Sequence, residues 1–310
     1  MSETPGETVS RFSAVQVWVH FLMAAAILVL FLTGTAITFG GQVGWIIAIV
    51  GYQNVVLVHI LAGVTLVLTL LYYVFYAITG ILTGEFPTAW IPTPGTVREV
   101  LTYAKHVLGR GEKPRSGKYT WIQKSEILII TVELTVLAVT GLVLIFPGLL
   151  LRYRPSFLIA SDLHAVFAFT LLMGVTFHLY DTHVLEFPLD TSIFTGRVSL
   201  EHAREYWPDW VNADEPRTDG GATAGARQIQ IAGVVVVLFV FATIYSGVMI
   251  DRILAPIPGT QSTLLLLDSP DTILEGPLGI LWSLGLNVVM LVVIAGLVAL
   301  FYGITLRLGE

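Results

Sequence analysis

Cysteine is absent from the 310 residues of the chain. Its absence excludes disulfides, thiolate-held iron–sulfur clusters and covalent cofactor attachment through Cys-x-x-Cys-His, so any metal centre must use His, Met or carboxylates. Charge is also scarce, at 12% of residues against 55% hydrophobic, and the mean hydropathy is +0.80. Such a composition suits a chain whose solvent is a bilayer. The net charge of −6 argues against a nucleic-acid partner. The opening "MSETPGETVSRF" lacks a basic stretch before a short apolar core, so no cleaved signal peptide is expected and the first apolar run should stay in the mature protein. No internal repeat is visible.

Six runs are long and apolar enough to cross about 30 Å of hydrocarbon: Val15–Phe39, Asn54–Thr83, Trp121–Leu149, Phe157–Leu185, Gln228–Ile250 and Pro277–Leu306. The expected fold is therefore an all-α integral membrane protein of the cell membrane, in contact with lipid. With both termini cytoplasmic, thirteen of the sixteen Lys and Arg residues fall inside; only Arg152, Arg154 and Arg252 fall outside. The positive-inside rule selects that topology.

Spans one to four carry His20, His59, His164 and His178, whereas spans five and six carry no histidine. His164 and His178 are 14 residues apart, about 21 Å along a helix and within about 40° of one face. His183 is rotated about 100° from His164 and reads as an interfacial contact rather than a ligand. By depth, His59 pairs with His164 near the outer surface, and His20 pairs with His178 toward the inner surface. Two stacked bis-histidine sites in a Cys-free bundle are what two non-covalent b-type haems require, with each iron held axially by neutral imidazoles. Taken singly, each histidine has another reading as a hydrogen-bonding group in a helix interface.

A macrocycle between helices needs room, which glycine gives. Gly34 follows His20 by 14 residues on the same stripe, and Gly63 and Gly174 each lie four residues from a ligand candidate. The alternative is ordinary small-residue packing. His106 and His202 fall in loops and are expected to be solvated. Glu126 and Glu133 share one face of span three with Gln123; intramembrane carboxylates point to function, here proton delivery from the cytoplasm. Glu126 lies near enough to the inner surface to snorkel, and Glu133 lies deeper, where a helix–helix hydrogen bond is the other reading.

Several motifs now carry a resemblance: "WVHFLMAAAILVLFLTG", "VLVHILAG", "SGKYTWIQK", "DLHAVFAF", "FHLYD" and "GRVSLEHAREYWPDW". Across about residues 10–212 the chain resembles the cytochrome b (gamma) subunit of membrane-bound formate dehydrogenases, within the wider group of diheme cytochromes b of respiratory hydrogenases. The resemblance implies the same ligand pairs, and a quinone site beside the inner haem near His178 and the loop Lys118–Gln123. Where the family element reads Asn-Ala-Gly-Gln, this chain has Thr120-Trp121-Ile122-Gln123. The implied partners are an iron–sulfur electron-transfer subunit and a catalytic subunit bearing molybdenum or tungsten. Electrons would pass from the outer to the inner haem and then to quinone, with protons taken from the cytoplasm.

The domain reading is 1–212 as a four-helix haem-binding bundle, 213–226 as a linker and 227–310 as two additional C-terminal transmembrane helices. Those last two lie outside the four-span pattern and suit docking or oligomerisation. A hydrogenase or thiosulfate-reductase cytochrome b is the alternative from the same class. A haem-free membrane anchor is the alternative from another.

Overall fold

Helix boundaries follow the local chemistry of the chain. Ser13 and Gln16 cap the first span reciprocally, with Gln16 N–H donating to Ser13 Oγ at 3.3 Å and Ser13 N–H donating to Gln16 Oε1 at 3.0 Å. Thr120 and Gln123 repeat the device at the third span, with both bonds at 3.2 Å. The computed structural model describes residues 7–84, 88–146, 154–182, 190, 192–212 and 277–308. In chain order the elements are β1 (Thr8–Ser10), α1 (Ala14–Thr38), α2 (Gly44–Val50), α3 (Tyr52–Thr83), α4 (Pro94–Val107), α5 (Trp121–Ile145), α6 (Arg154–Tyr180), α7 (Ser192–Thr195), β2 (Arg197–Ser199), α8 (Leu200–Tyr206), α9 (Pro208–Asn212) and α10 (Pro277–Leu308).

Five of the described helices, α1, α3, α5, α6 and α10, are long and apolar enough to cross a membrane. Their outward faces stay apolar, as Leu71, Leu128, Val139 and Leu291 illustrate, each more than half exposed. That is the pattern expected where lipid, not water, covers the helix. An all-α integral membrane fold is thus what the chain adopts. The expected span Gln228–Ile250, the linker 213–226, and His183 lie outside the described residues.

The chain divides into two compact units: Met1–Val17 with Ala77–Arg227, and Trp18–Tyr76 with Gln228–Glu310. In the first, α5 and α6 pack antiparallel, and a small module lies beside them. Its strands β1 and β2 pair antiparallel, Val9 opposite Val198, over a core of Val9, Val198, Leu200, Ala203 and Trp207. Arg11, only 3% exposed, binds the Asp190 carboxylate and donates to Ser192 Oγ at 3.2 Å. Its guanidinium also sits 3.4 Å over the Trp207 ring, so the buried charge is both paired and stacked.

His202 corrects an expectation here. It lies on α8 rather than in a loop, and is 5% exposed rather than solvated, with its ring stacked on Tyr206 at 4.5 Å. His106 also lies on a helix, the last turn of α4, rather than in a loop, but is exposed as expected.

In the second unit, α10 packs with the helices near the start of the chain. Phe21 meets Phe301 edge-on at 5.4 Å. The Asn287 side chain accepts from Trp45 Nε1 at 2.8 Å and donates to Gln42 O at 2.9 Å. α10 lies in the same unit as most of α1 and α3.

Candidate functional site

His20 and His59 lie in one unit, and His164 and His178 in the other; all four are partly buried on membrane-spanning helices. Three of them have their Nδ1 engaged by a side chain on a neighbouring helix. In the second unit, His59 Nδ1 lies 2.9 Å from Thr33 Oγ1 on α1. The Thr33 hydroxyl spends its single proton on Val29 O at 2.7 Å, so toward the imidazole it acts as acceptor. With the proton on Nδ1, Nε2 is the nitrogen suited to ligation.

The first unit repeats the arrangement. His164 Nδ1 lies 2.9 Å from Thr140 Oγ1 on α5, and Thr140 donates to Val136 O at 2.7 Å. Each threonine is followed by a glycine at the ring edge. A Cβ on Gly34 would lie 3.2 Å from His59 Cε1, and one on Gly141 would lie 3.4 Å from His164 Cε1. These two glycines therefore allow a close approach of backbone to imidazole. At Gly63 a Cβ would meet only Leu30, at 3.9 Å, an ordinary contact distance.

His178 is held differently, with Nδ1 3.0 Å from Glu126 Oε2. Glu126 does not snorkel: its side chain is 12% exposed and turned to the imidazole. A carboxylate behind a ligating imidazole fixes its orientation and raises its basicity. Glu126 and Thr140 are 14 residues apart on α5, as His178 and His164 are on antiparallel α6. One helix thus supplies both supports at the spacing of the histidines. Just beyond α6, Asp181 is buried.

Glu133 is 8% exposed, and its Oε2 has no hydrogen-bond partner among the described residues. The absent side chain of Gly174 leaves 3.8 Å between that oxygen and the position of a Cβ. Gln123 accepts from Thr120 N–H in the α5 capping box, so its carbonyl serves the helix end. Lys118 lies 5.7 Å from the Trp210 ring.

The donor set fits a haem. Among the described residues no cluster of three or more His, Asp or Glu could hold a metal unaided, but a porphyrin supplies four nitrogens itself and asks the protein for two axial ligands. Imidazoles oriented through Nδ1 from a neighbouring helix suit that demand. Sequence reasoning had missed Thr33, Thr140 and Gly141, although the repeated Thr-Gly dipeptide in spans one and three was their signal.

No curated protein matches the chain. Residues 11–195, more than half of it, match the family model described as prokaryotic cytochrome b561.

Proposed function

Because the chain belongs to the prokaryotic cytochrome b561 family, we propose that it is the diheme, quinone-reactive subunit of a respiratory oxidoreductase similar to membrane-bound formate dehydrogenase. Membership makes it a membrane cytochrome b that carries electrons, and implies b-type haem. The two-haem reading goes further. It places one haem on His59 and His164, in the cradle of Gly34 and Gly63, and the other on His20 and His178.

The observation that carries the reading is the state of the imidazoles. Thr33 holds His59, Thr140 holds His164 and Glu126 holds His178, each through Nδ1. Each bond contributes about 1 kcal/mol net, and its larger effect is to fix the orientation of the ring. Once bound, haem supplies a one-electron iron couple whose potential depends on the axial ligands and their hydrogen bonds.

On this reading an iron–sulfur subunit delivers electrons on the outer side, drawn from a molybdenum- or tungsten-bearing catalytic subunit. They leave on the inner side, where a quinone takes two electrons and two protons to become quinol. His178, Lys118 and the amide NH2 of Gln123 form the quinone's surroundings, and Glu126 and Glu133 form a proton path from the cytoplasm. The buried Glu133 oxygen without a partner supports that path, because such a group is costly and is kept for a reason.

The test is a pyridine haemochrome assay on the purified chain. Two b haems per chain are expected. One haem would remove a ligand pair, and none would leave a membrane anchor. Co-purification of the catalytic partner then separates formate oxidation from hydrogen oxidation or thiosulfate reduction.

A further inference from the structure

Helix α4 connects two membrane spans, yet its own pattern is amphipathic. Val97, Leu101 and Ala104, with Leu108 just past the end, fall within about 60° of one another around the helix axis. Val97 is 62% exposed, Leu101 59% and Leu108 70%, so this apolar stripe points away from the unit. The opposite face is occupied. Thr96 is buried, Glu99 pairs with Lys124 on α5 at 3.5 Å, and Tyr103 packs on Trp121 with ring centroids 5.4 Å apart.

Charge distinguishes what could cover the stripe. Residues 94–118 carry six Lys and Arg against two Glu, in a chain whose net charge is −6. Lys113 and Lys118 lie over Tyr206 and Trp210, and Arg115 binds Asp209. Arg98, Lys105 and Arg110 are exposed and form no ion pair among the described residues. Arg98 and Lys105 lie on one flank of the stripe, about 80–100° from Val97, and Arg110 follows in the turn after Gly109, whose φ of +70° ends the helix.

The tethers decide where α4 can be. Ten residues separate Thr83 of α3 from Pro94, and thirteen separate Val107 from Trp121 of α5. Both neighbours end at the bilayer surface, so a helix held between them stays within a few nanometres of the headgroups. An apolar stripe with a basic flank, held at that surface, matches the physics of a helix lying in the interface, its apolar side about 5–10 Å deep among acyl chains.

We propose that α4 is an interfacial helix that docks on anionic phospholipid, with Val97, Leu101, Ala104 and Leu108 immersed and Arg98, Lys105 and Arg110 contacting headgroup phosphates. This docking holds the start of α5, and with it the Glu126 turn, at a fixed depth through the Glu99–Lys124 and Tyr103–Trp121 contacts. It does not depend on haem or quinone.

The absence of cysteine makes the test clean. Leu101→Cys in the full chain is spin-labelled and reconstituted into vesicles of phosphatidylcholine alone, or with one third phosphatidylglycerol. Accessibility to oxygen and to an aqueous nickel reagent is compared with labels at Leu71→Cys, a lipid reference on α3, and Gly111→Cys, an aqueous reference. A lipid-like value at Leu71 in every sample certifies the inserted fold.

In the anionic vesicles the Leu101 label should read as lipid-immersed at shallow depth, between the Gly111 and Leu71 references. Neutralising Arg98, Lys105 and Arg110 to Gln should move it toward the Gly111 value, with the immersed population falling by about fivefold per charge removed. A Leu101 label that tracks Gly111 in both lipids overturns the proposal. Shielding from both reagents overturns it in favour of a protein partner. Immersion indifferent to phosphatidylglycerol and to the three substitutions overturns the anionic-lipid assignment.

Discussion

At the scale of the residue, the site depends on how each imidazole is oriented. Thr140→Val keeps the shape but removes the acceptor. His164 then loses one of the contacts that orient its ring, although the Leu137 carbonyl remains. Haem should bind about tenfold more weakly at one site, as read by absorbance titration of the apoprotein, and Thr140→Ser should restore it. Equal retention by the Val and wild-type chains would make Thr140 a packing residue. Glu126 gives a second contrast. A carboxylate acceptor makes His178 more electron-rich and favours ferric iron, so Glu126→Gln should raise the midpoint potential of one haem and leave the other unchanged in a redox titration. That His164 and His178 share one helix was legible in the sequence, because a 14-residue spacing in an apolar run needs no tertiary knowledge. Their supports were not. A threonine in an apolar helix ordinarily bonds back to its own turn, as Thr33 does to Val29 O, and nothing local announces the imidazole on the next helix.

At the scale of the element, Thr120-x-x-Gln123 is a capping box that the sequence displays openly, although the family comparison drew attention to Gln123 as a quinone contact. The β1–β2 module was opaque for a different reason: two three-residue strands about 190 positions apart leave no periodic signal. The module carries a pH dependence. Burial is the main cause that lowers the pKa of His202 from 6.5; Arg11 adds to it, and Asp190 and Glu205 oppose it. Above pH 6.5 the imidazole is neutral folded and unfolded alike, and the module has its full stability. As pH falls through 6.5 toward the lower folded value, the unfolded segment takes up the proton first, and stability is lost. Amide exchange at Val9 and Val198, corrected for intrinsic chemistry, should therefore show less protection at about pH 5.5 than at about pH 7.5. His202→Phe, which keeps an aromatic ring beside Tyr206, should flatten the difference.

At the scale of the whole molecule, the count of apolar runs was enough to place the chain in a membrane, but order along the chain concealed which helices share a unit. α10, last in the sequence, shares its unit with most of α1 and α3. Asn287 shows why that membership has an energetic meaning. Its amide is one polar group in a run of apolar residues, and it is used completely: accepting from Trp45 Nε1, donating to Gln42 O, and donating to Ser283 O at 2.8 Å. Two of those bonds tie α10 to the segment that follows α1, the helix carrying His20, Thr33 and Gly34. Asn287→Leu keeps the helix and its apolar contacts but removes both ties, a loss of about 2 kcal/mol, with the Trp45 indole N–H and the Gln42 carbonyl left to find other partners. The purified variant should release haem at a lower temperature than wild type when the Soret band is followed on heating. A chain ending at residue 276, which also uncovers Leu28 and Phe21, should release it at a lower temperature still. If both variants hold haem as long as wild type, α10 is a peripheral addition to a bundle that is complete without it. If the order is wild type, then Asn287→Leu, then the truncated chain, the last helix is a structural part of the unit that contains His20 and His59.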